Sequence, residues 1–347
     1  MKTKKFFVAA ALGTIATTCL ASCGGSKKLD MDNWKFTPKD ASNIKIGILQ
    51  PLEHAALSAA REGFIAGLKA SGYEESKNIT IKYQNANGVE ADLNTLAKSL
   101  TSSSDLTLGI GTGASKALYS AQINSGSTNP ILFTAVTDAV AAELVESNEN
   151  SGNYITGTSD ANPVEAQISL IKECLPDAKK IGIIYTQSEV NSEVQANEAK
   201  AEAERQGLTV EVATCTDSSD ISSVALDLCG KKEIDALYIP TDNNIAANMK
   251  AIKSNLDTYH VLCVAGEEGM MSEGGHVTLS VSYFDLGKKA GEMAAKIMKG
   301  EKKPNELPVT KMSKEECNYV MCTANLKDAG IKLPESVKAK FTDVEAK

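Results

Sequence analysis

Two series of short β-branched segments alternate with helical stretches, in the same order, along this chain of 347 residues. The centres of matching strands pair as Ile46 with Ile183, Ile81 with Val210, Leu108 with Leu237 and Leu132 with Leu262. Their separations are 137, 129, 129 and 130 residues. Alternation by itself arises by chance, but four strands in matching order at a nearly constant offset indicate a duplicated α/β unit. We predict two Rossmann-like lobes with parallel sheets, joined near residues 154–159.

The apolar runs and helix-stop signals give approximate bounds for the elements of both lobes. Strands are predicted at 44–49, 79–83, 106–110, 131–134, 181–185, 208–212, 236–239, 261–264 and 277–281. Helices are predicted at 55–71, 91–102, from 115 onward, 189–206, 219–228, 245–255 and 284–298. Ligands of open parallel sheets bind beyond the carboxyl ends of the strands. Two such lobes facing each other therefore predict a cleft that shuts by hinge motion.

Small polar residues follow the predicted strands, as a ligand-binding cleft requires. Gly111-Thr112-Gly113, leading into a helix at Ser115, would present free N–H groups and the positive end of that helix. This pattern predicts a carboxylate site, and a helix-capping role alone is the alternative. The candidate ligand-binding residues of the first lobe are Glu53, Thr112, Gly113, Ser115, Thr134, Ala135, Thr137 and Asp138.

Acidic residues at strand ends suggest a counter-charge for a ligand ammonium. Asp242 is the first candidate, with Glu53 and Glu267 behind it. Because Asp242 also precedes a predicted helix, N-capping is a rival role for it. An anion-binding helix end and acidic groups across one cleft would together suit a zwitterion. The remaining candidates, at the junction and in the second lobe, are Ser159, Tyr185, Asn191 and Asn243.

The amino terminus is typical of a bacterial lipoprotein signal. Lys4 and Lys5 precede an apolar run, residues 6–20, that is too short to span a bilayer. The run ends in Leu-Ala-Ser followed by Cys23. We predict that residues 1–22 are removed and that the Cys23 thiol carries lipid. An ordinary secretory signal with a chance cysteine is the alternative.

Composition limits the partners of the remaining chain. Its net charge is −8, with 44 acidic and 36 basic residues, which argues against a nucleic-acid partner. Residues 23–43 are polar and patternless, as expected for a lipidated tether. Six cysteines follow Cys23. Cys174 and Cys263 lie in apolar segments, where buried free thiols are expected.

No catalytic motif is present in the sequence. It contains no GxSxG, GxxxxGK[ST] or HExxH pattern, and its three histidines are scattered. Gly109-x-Gly111-x-x-Ala114 fits a dinucleotide fingerprint only loosely, because it follows the third strand and no acidic residue lies about 20 positions further on. We therefore expect a binding protein without cofactor or metal, and not an enzyme.

Several segments resemble substrate-binding lipoproteins of ABC importers, in the branch often described as tryptophan/tyrosine-binding. The matching segments are Ile46–His54, Ala59–Phe64, Tyr83–Asn87, Phe133–Asp138, Pro163–Glu165 with Gln167, Tyr238–Asn243 and Gly266–Gly269. The resemblance covers about residues 44–338. It implies a type I periplasmic-binding fold with two lobes and a hinged cleft, and no catalysis.

The resemblance favours an extracytoplasmic lipoprotein that captures a small amino acid, aromatic by preference, and delivers it to the membrane subunits of an ABC permease. A lipid-anchored sensor that signals ligand occupancy to a membrane kinase is the alternative. In this fold we expect lobe 1 to comprise residues 44–158 with 283–312, and lobe 2 to comprise 159–282 with 313–347. The helix at 284–298 would then return to lobe 1.

Overall fold

The computed structural model describes residues 31–346. These residues form two α/β lobes, each built around one sheet. The first run of elements is β1 (Ile44–Gln50), α1 (Ala55–Ala70), β2 (Ile79–Asn85), α2 (Glu90–Ser103), β3 (Leu106–Ile110), α3 (Thr112–Ser125), β4 (Ile131–Thr134) and β5 (Ile155–Ser159). The second is α4 (Val164–Cys174), β6 (Lys180–Thr186), α5 (Val190–Arg205), β7 (Thr209–Cys215), α6 (Ile221–Leu226), β8 (Ala236–Ile239), α7 (Asn243–Ala247), α8 (Lys250–Tyr259), β9 (Leu262–Ala265), α9 (Gly269–Glu273) and β10 (Val277–Ser280). The last is α10 (Tyr283–Met298), β11 (Thr310–Lys311), β12 (Asn318–Met321), α11 (Thr323–Asp328), α12 (Glu335–Lys338) and β13 (Thr342–Asp343).

The two sheets repeat one strand order, as the duplicated sequence pattern predicts. The first sheet runs β11-β5-β4-β3-β1-β2 and the second runs β13-β12-β10-β9-β8-β6-β7. Neighbouring strands are parallel throughout, except that β12 is antiparallel to β10. The chain crosses from one sheet to the other after β5, after β10 and after β11. The predicted fold class, two α/β lobes with parallel sheets, is confirmed.

Local structure departs from the sequence-based bounds at three places. Residues 155–159, interpreted as a plain connection, form the strand β5 inside the first sheet. The helix α3 begins at Thr112 and not at Ser115, because Gly111 adopts φ 80° and turns the chain directly into the helix. The helix predicted at 245–255 is divided into α7 and α8, where the Asn248 side chain donates to the Asn244 carbonyl.

The segment before β1 is docked on the first lobe, in contrast to the free tether expected up to residue 43. Trp34 is only 9% exposed, its Nε1 donates to the Thr128 carbonyl at 2.9 Å, and its ring lies 6.2 Å from that of Tyr154. The Lys303 ammonium donates to the Met31 carbonyl at 2.9 Å. The tether predicted from Cys23 therefore ends by residue 31. Within residues 31–346, no helix has the length and apolar character needed to span a membrane.

The helices α1 and α10 cross at very short range on one face of the first sheet. Glycines at the crossing make this approach geometrically feasible: a Cβ on Gly287 would lie 1.9 Å from the Ala60 carbonyl oxygen, and one on Gly63 would lie 1.9 Å from that of Phe284. Phe64 and Leu286 are fully buried in the same core cluster. The crossing therefore holds α10, which follows β10 of the second sheet, firmly on the first.

Replacing Gly287 tests this crossing. We expect Gly287→Ala to lower the free energy of unfolding by roughly 1–3 kcal/mol or more, because the added methyl must push two helix backbones apart. Glu292→Ala, on the exposed side of α10, is the matched control and should change stability little. Denaturant unfolding of both variants measures the effect, and equal stabilities would show that the backbones separate at no cost.

Candidate functional site

A small cavity of about 10 Å³, here called the inner cavity, lies where the carboxyl ends of the two sheets face each other. Strand-end loops position its lining because parallel strands of one sheet end at the same edge. The lining residues are His54, Ala135, Thr137, Asp160, Asn191, Thr241, Asp242, Asn243, Glu267 and Tyr283. They come from both lobes and from the crossings between them, so the inner cavity exists only while the lobes are together.

A larger open space of about 840 Å³, here called the outer cleft, lies beside the inner cavity. It is bounded by the loops after β1 and β2, by α2 and α3, and by the loops after β6 and β7. A contact of 3.1 Å between His54 Nε2 and Asn243 Oδ1 joins the lobes at its inner end. Both residues of this pair line the inner cavity, and their chain neighbours Glu53 and Asn244 line the outer cleft, so the two spaces adjoin near this contact.

The structure brings part of the predicted site together. Six of the candidates line the inner cavity: Ala135, Thr137, Asn191, Asp242, Asn243 and Glu267. Glu53 and Gly113 line the outer cleft instead. Sequence reasoning did not select His54, Asp160, Thr241 and Tyr283 as candidates. Asp160 had a usable signal, since it follows a strand, but that strand was β5, which the sequence analysis treated as a connection.

The remaining candidates line neither space, and hydrogen bonds inside the fold occupy several of them. The Ser115 hydroxyl donates to the Gly111 carbonyl at 2.8 Å, and the Thr134 hydroxyl accepts from that of Thr158 at 2.9 Å. Asp138 accepts from two backbone N–H groups of the next turn, and the Ser159 hydroxyl donates to the Thr137 carbonyl. Thr112 is the first residue of α3, and Tyr185 packs at the edge of a core cluster.

Asp242 is the N-cap of α7, which is the rival role that the sequence left open for it. One carboxylate oxygen accepts from the Ile245 N–H at 2.9 Å and from the Thr186 hydroxyl at 2.8 Å. The other oxygen accepts from the Thr186 N–H at 2.6 Å. Burial raises the pKa of Asp242, and these hydrogen bonds oppose the rise. Both oxygens are thus committed to the protein.

Glu53 is part of a polar cluster on the lobe 1 surface. It forms an ion pair of 3.2 Å with Arg61 and accepts from the Tyr83 hydroxyl at 2.8 Å. The Arg61 guanidinium also lies 4.2 Å from the centre of the Tyr83 ring. Because Glu53 already has a cationic partner and lies outside the inner cavity, it is poorly placed to hold a ligand ammonium.

Glu267 differs from the other two acidic candidates, because one of its oxygens has no protein partner. It is 2% exposed, and its Oε2 accepts from the Gly269 N–H. Its Oε1 is buried without a hydrogen-bond partner in the described structure. Burial first, and then the nearby charges of Glu268 and Asp160, raise the pKa of Glu267 to about 8. A buried acceptor of this kind is costly unless a donor reaches it.

Asp160 adds a second buried carboxyl group at the crossing after β5. It accepts from the Tyr283 hydroxyl at 2.6 Å and from the Thr137 hydroxyl at 3.0 Å. Burial raises its pKa despite both hydrogen bonds. With Asp242 and Glu267, three carboxyl groups line the inner cavity, whereas none of its described lining residues is a lysine or an arginine. The cavity is therefore suited to a cation supplied from outside the chain.

The raised pKa of Glu267 predicts a pH dependence of folding stability. A carboxyl group whose folded-state pKa is raised is most stabilising while protonated, so its contribution is lost as the pH rises from 4.5 through 8. We expect the free energy of unfolding of the wild type to fall relative to Glu267→Gln over that range. Denaturant titrations at a series of pH values measure it, and a constant difference between the two proteins would contradict the assignment.

Comparisons with known proteins agree with this architecture. A tyrosine-binding protein of Clostridioides difficile (strain R20291) is 34% identical over 317 residues, which is 91% of this chain and 90% of the relative. The crystal structure of the ABC domain in complex with L-Trp from Streptococcus pneumonia is 33% identical, with a TM-score of 0.81 over 87% of this chain and 100% of that one.

A ligand-free, open structure of a substrate-binding protein with adhesive properties from Clostridium difficile is 34% identical, with a TM-score of 0.66 over 88% of this chain and 100% of that one. The fold is that of type I periplasmic-binding proteins. This family consists of solute-binding proteins that work outside the cytoplasm and is not an enzyme class. The family model of ABC transporter substrate-binding proteins matches residues 45–345, and the chain therefore belongs to this family.

Proposed function

We propose that this protein captures an aromatic amino acid between its two lobes and delivers it to the membrane subunits of an ABC permease. The observation that carries the proposal is the buried, unpartnered Oε1 of Glu267 in a cavity lined by three carboxyl groups. An α-ammonium group supplies the positive charge and the donors that this cavity calls for. Charge-assisted hydrogen bonds of this kind are stronger than neutral ones.

Glu267 takes the role of ammonium acceptor in place of Asp242. Asp242 caps α7 with one oxygen and binds the end of β6 with the other, so its contribution to the site is structural and electrostatic. Glu267 offers a free oxygen from the loop after β9. Asp160, which raises the pKa of Glu267, adds negative potential at the same place. An ammonium that binds here would favour the ionised form of Glu267.

The ligand carboxylate is assigned to the backbone of residues 135–137. Ala135 has φ 58°, a left-handed conformation that is uncommon outside glycine, and it lines the inner cavity next to Thr137. Such strained backbone concentrates at binding sites. Thr112, Ser115 and Thr134, which the sequence suggested for this role, do not line the inner cavity.

The preference for an aromatic side chain comes from the relatives. One is described as tyrosine-binding, and another was crystallised with L-Trp. The lobe arrangement also supports ligand capture by closure. At nearly equal identity and coverage, this chain is more similar to the L-Trp complex than to the open, ligand-free structure, with TM-scores of 0.81 and 0.66.

The proposed anchoring and lobe division follow from the same family. Cys23 lies outside the described residues, and its lipidation remains a proposal based on the sequence. We assign residues 44–158 with 283–312 to lobe 1 and 159–282 with 313–347 to lobe 2. The division is supported by the strand β11 pairing with β5 of the first sheet, and by β12 pairing with β10 of the second.

Calorimetric titration with L-tryptophan and L-tyrosine tests the proposed function. We expect the wild type to bind at least one of them and Glu267→Gln to bind it roughly 10- to 100-fold more weakly, because a charged hydrogen bond of about 1.5–3 kcal/mol is lost. Glu53→Gln is the matched control: it removes the same charge from the outer cleft, where Arg61 is its partner, and should leave affinity within about threefold. A wild type that binds no aromatic amino acid would contradict the proposed function. Equal losses of affinity in the two variants would show that Glu267 is not the specific acceptor of the ammonium group.

Membrane fractionation tests the anchor. We expect Cys23→Ser to fold normally but to appear in the soluble fraction, since the acyl chains on one thiol provide the attachment. Ser22→Ala, which retains the cysteine and the small residue before it, should stay with the membrane. A Cys23→Ser protein that resists a high-salt wash of the membranes would disprove lipid anchoring through this residue.

A further inference from the structure

His54 is the one histidine at the boundary between the inner cavity and the outer cleft, and it is not among the candidates chosen from the sequence. It precedes α1, yet its side chain makes no capping hydrogen bond with that helix. Its two ring nitrogens are used differently. Nε2 contacts Asn243 of the opposite lobe, whereas Nδ1 is buried and has no hydrogen-bond partner in the described structure.

The hydrogen-bond network around Asn243 determines which ring nitrogen of His54 carries the proton. The Asn243 Nδ2 amide group donates to Glu189 Oε2 at 2.7 Å, and both Glu189 oxygens also accept backbone N–H groups, those of Asn243 and Asn244. The Asn243 carbonyl oxygen is therefore the atom that faces His54, and it can only accept. His54 must donate from Nε2, which leaves a lone pair on Nδ1 in the neutral ring.

We propose that His54 Nδ1 is a second acceptor for the ammonium group of the bound amino acid, beside Glu267 Oε1. The two atoms share the properties expected of such a pair: each is a buried acceptor without a protein donor, and their residues line the same cavity from opposite lobes. An ammonium has three donors and can bond to both at once. His54 thereby links ligand recognition to closure, because Asn243 holds the required tautomer only when the lobes meet.

The inference rests on the proposed function, since it requires an amino-acid ligand whose ammonium group reaches the inner cavity. The His54 acceptor adds a selectivity for primary ammonium groups that the Glu267 carboxylate alone does not give. A cation without N–H donors, such as a quaternary ammonium, could satisfy a carboxylate but could not donate to an imidazole lone pair. His54 should therefore favour a primary ammonium.

Two substitutions separate the nitrogens of His54. His54→Asn places a carboxamide near the position of Nδ1, and His54→Gln places one near Nε2. By calorimetric titration with L-tryptophan or L-tyrosine, we expect His54→Gln to lose roughly tenfold in affinity and His54→Asn less than about threefold. Thermal melting of both variants confirms that each is folded.

Ligand analogues supply the second arm of this experiment. The des-amino analogues, 3-indolepropionate and 3-(4-hydroxyphenyl)propionate, lack the ammonium, so the wild type and His54→Gln should bind them equally when measured by displacement. Equal affinity of His54→Gln and wild type for the amino acid would overturn the inference. So would equal losses in His54→Gln and His54→Asn, which would assign His54 to lobe closure alone. Failure of the wild type to bind any amino acid would instead reject the proposed function.

A pH profile gives an independent readout. Burial lowers the pKa of His54 from 6.5 to about 4, so its contribution to the closed complex is present above 6.5 and is lost as the pH falls. Relative to His54→Gln, wild-type affinity should drop by more than roughly tenfold between pH 7.5 and pH 5. The charged and titratable groups around His54 are Glu53, Asp160, Glu189, Asp242, Glu267 and Tyr283. Their titration is common to both proteins, so a parallel pH profile for the two would contradict the assignment.

Discussion

The desolvation of acidic groups at the meeting point of the two lobes is the constraint on which the site depends. Asp160, Asp242 and Glu267 lie within one small cavity, and burial is the largest cause of the raised pKa of each. Hydrogen bonds from the protein reach both carboxylate oxygens of Asp160 and of Asp242, but only one oxygen of Glu267. Closing the lobes is therefore costly until a donor reaches Glu267. Under the proposed function, an ammonium group that reaches Glu267 would remove this cost and so couple closure to the arrival of the ligand's charge.

The repeated strand order brings these groups together. In each sheet the order reverses beside the first strand of the unit, between β1 and β3 and between β6 and β8, and the loops at such a point form a crevice. His54 follows β1, while Asp242 and Asn243 follow β8. Because the two crevices face each other, each lobe contributes one wall of the site. The close crossing of α1 and α10 keeps the first wall rigid, because glycines there allow direct backbone contact.

Much of this fold could be predicted from the sequence, because strand order and offset depend on periodicity, which is a local and repeated signal. The strand β5 was missed since Ile155–Ser159 has only one strongly apolar residue and lacks a counterpart in the paired strands used to detect the repeat. The docked segment at Trp34 was missed for a related reason. A single tryptophan in a polar stretch gives no pattern, and its burial depends on Thr128 and Tyr154, which are distant in sequence.

The sequence predicted which loops line the candidate site, but not which of their side chains are free to bind a ligand. Sequence placed acidic and small polar residues at strand ends correctly, but it ranked Asp242 ahead of Glu267 for the ammonium, whereas the proposed function assigns that role to Glu267. Both are buried acids after strands, and the difference lies in partners: Thr186 and Ile245 occupy Asp242, whereas Glu267 keeps one oxygen free. His54 was undervalued for the same reason, since its importance depends on Asn243 and Glu189 in the opposite lobe. Residue type reveals which groups can bind an ammonium, but only the count of unsatisfied acceptors reveals which of them are free to do so.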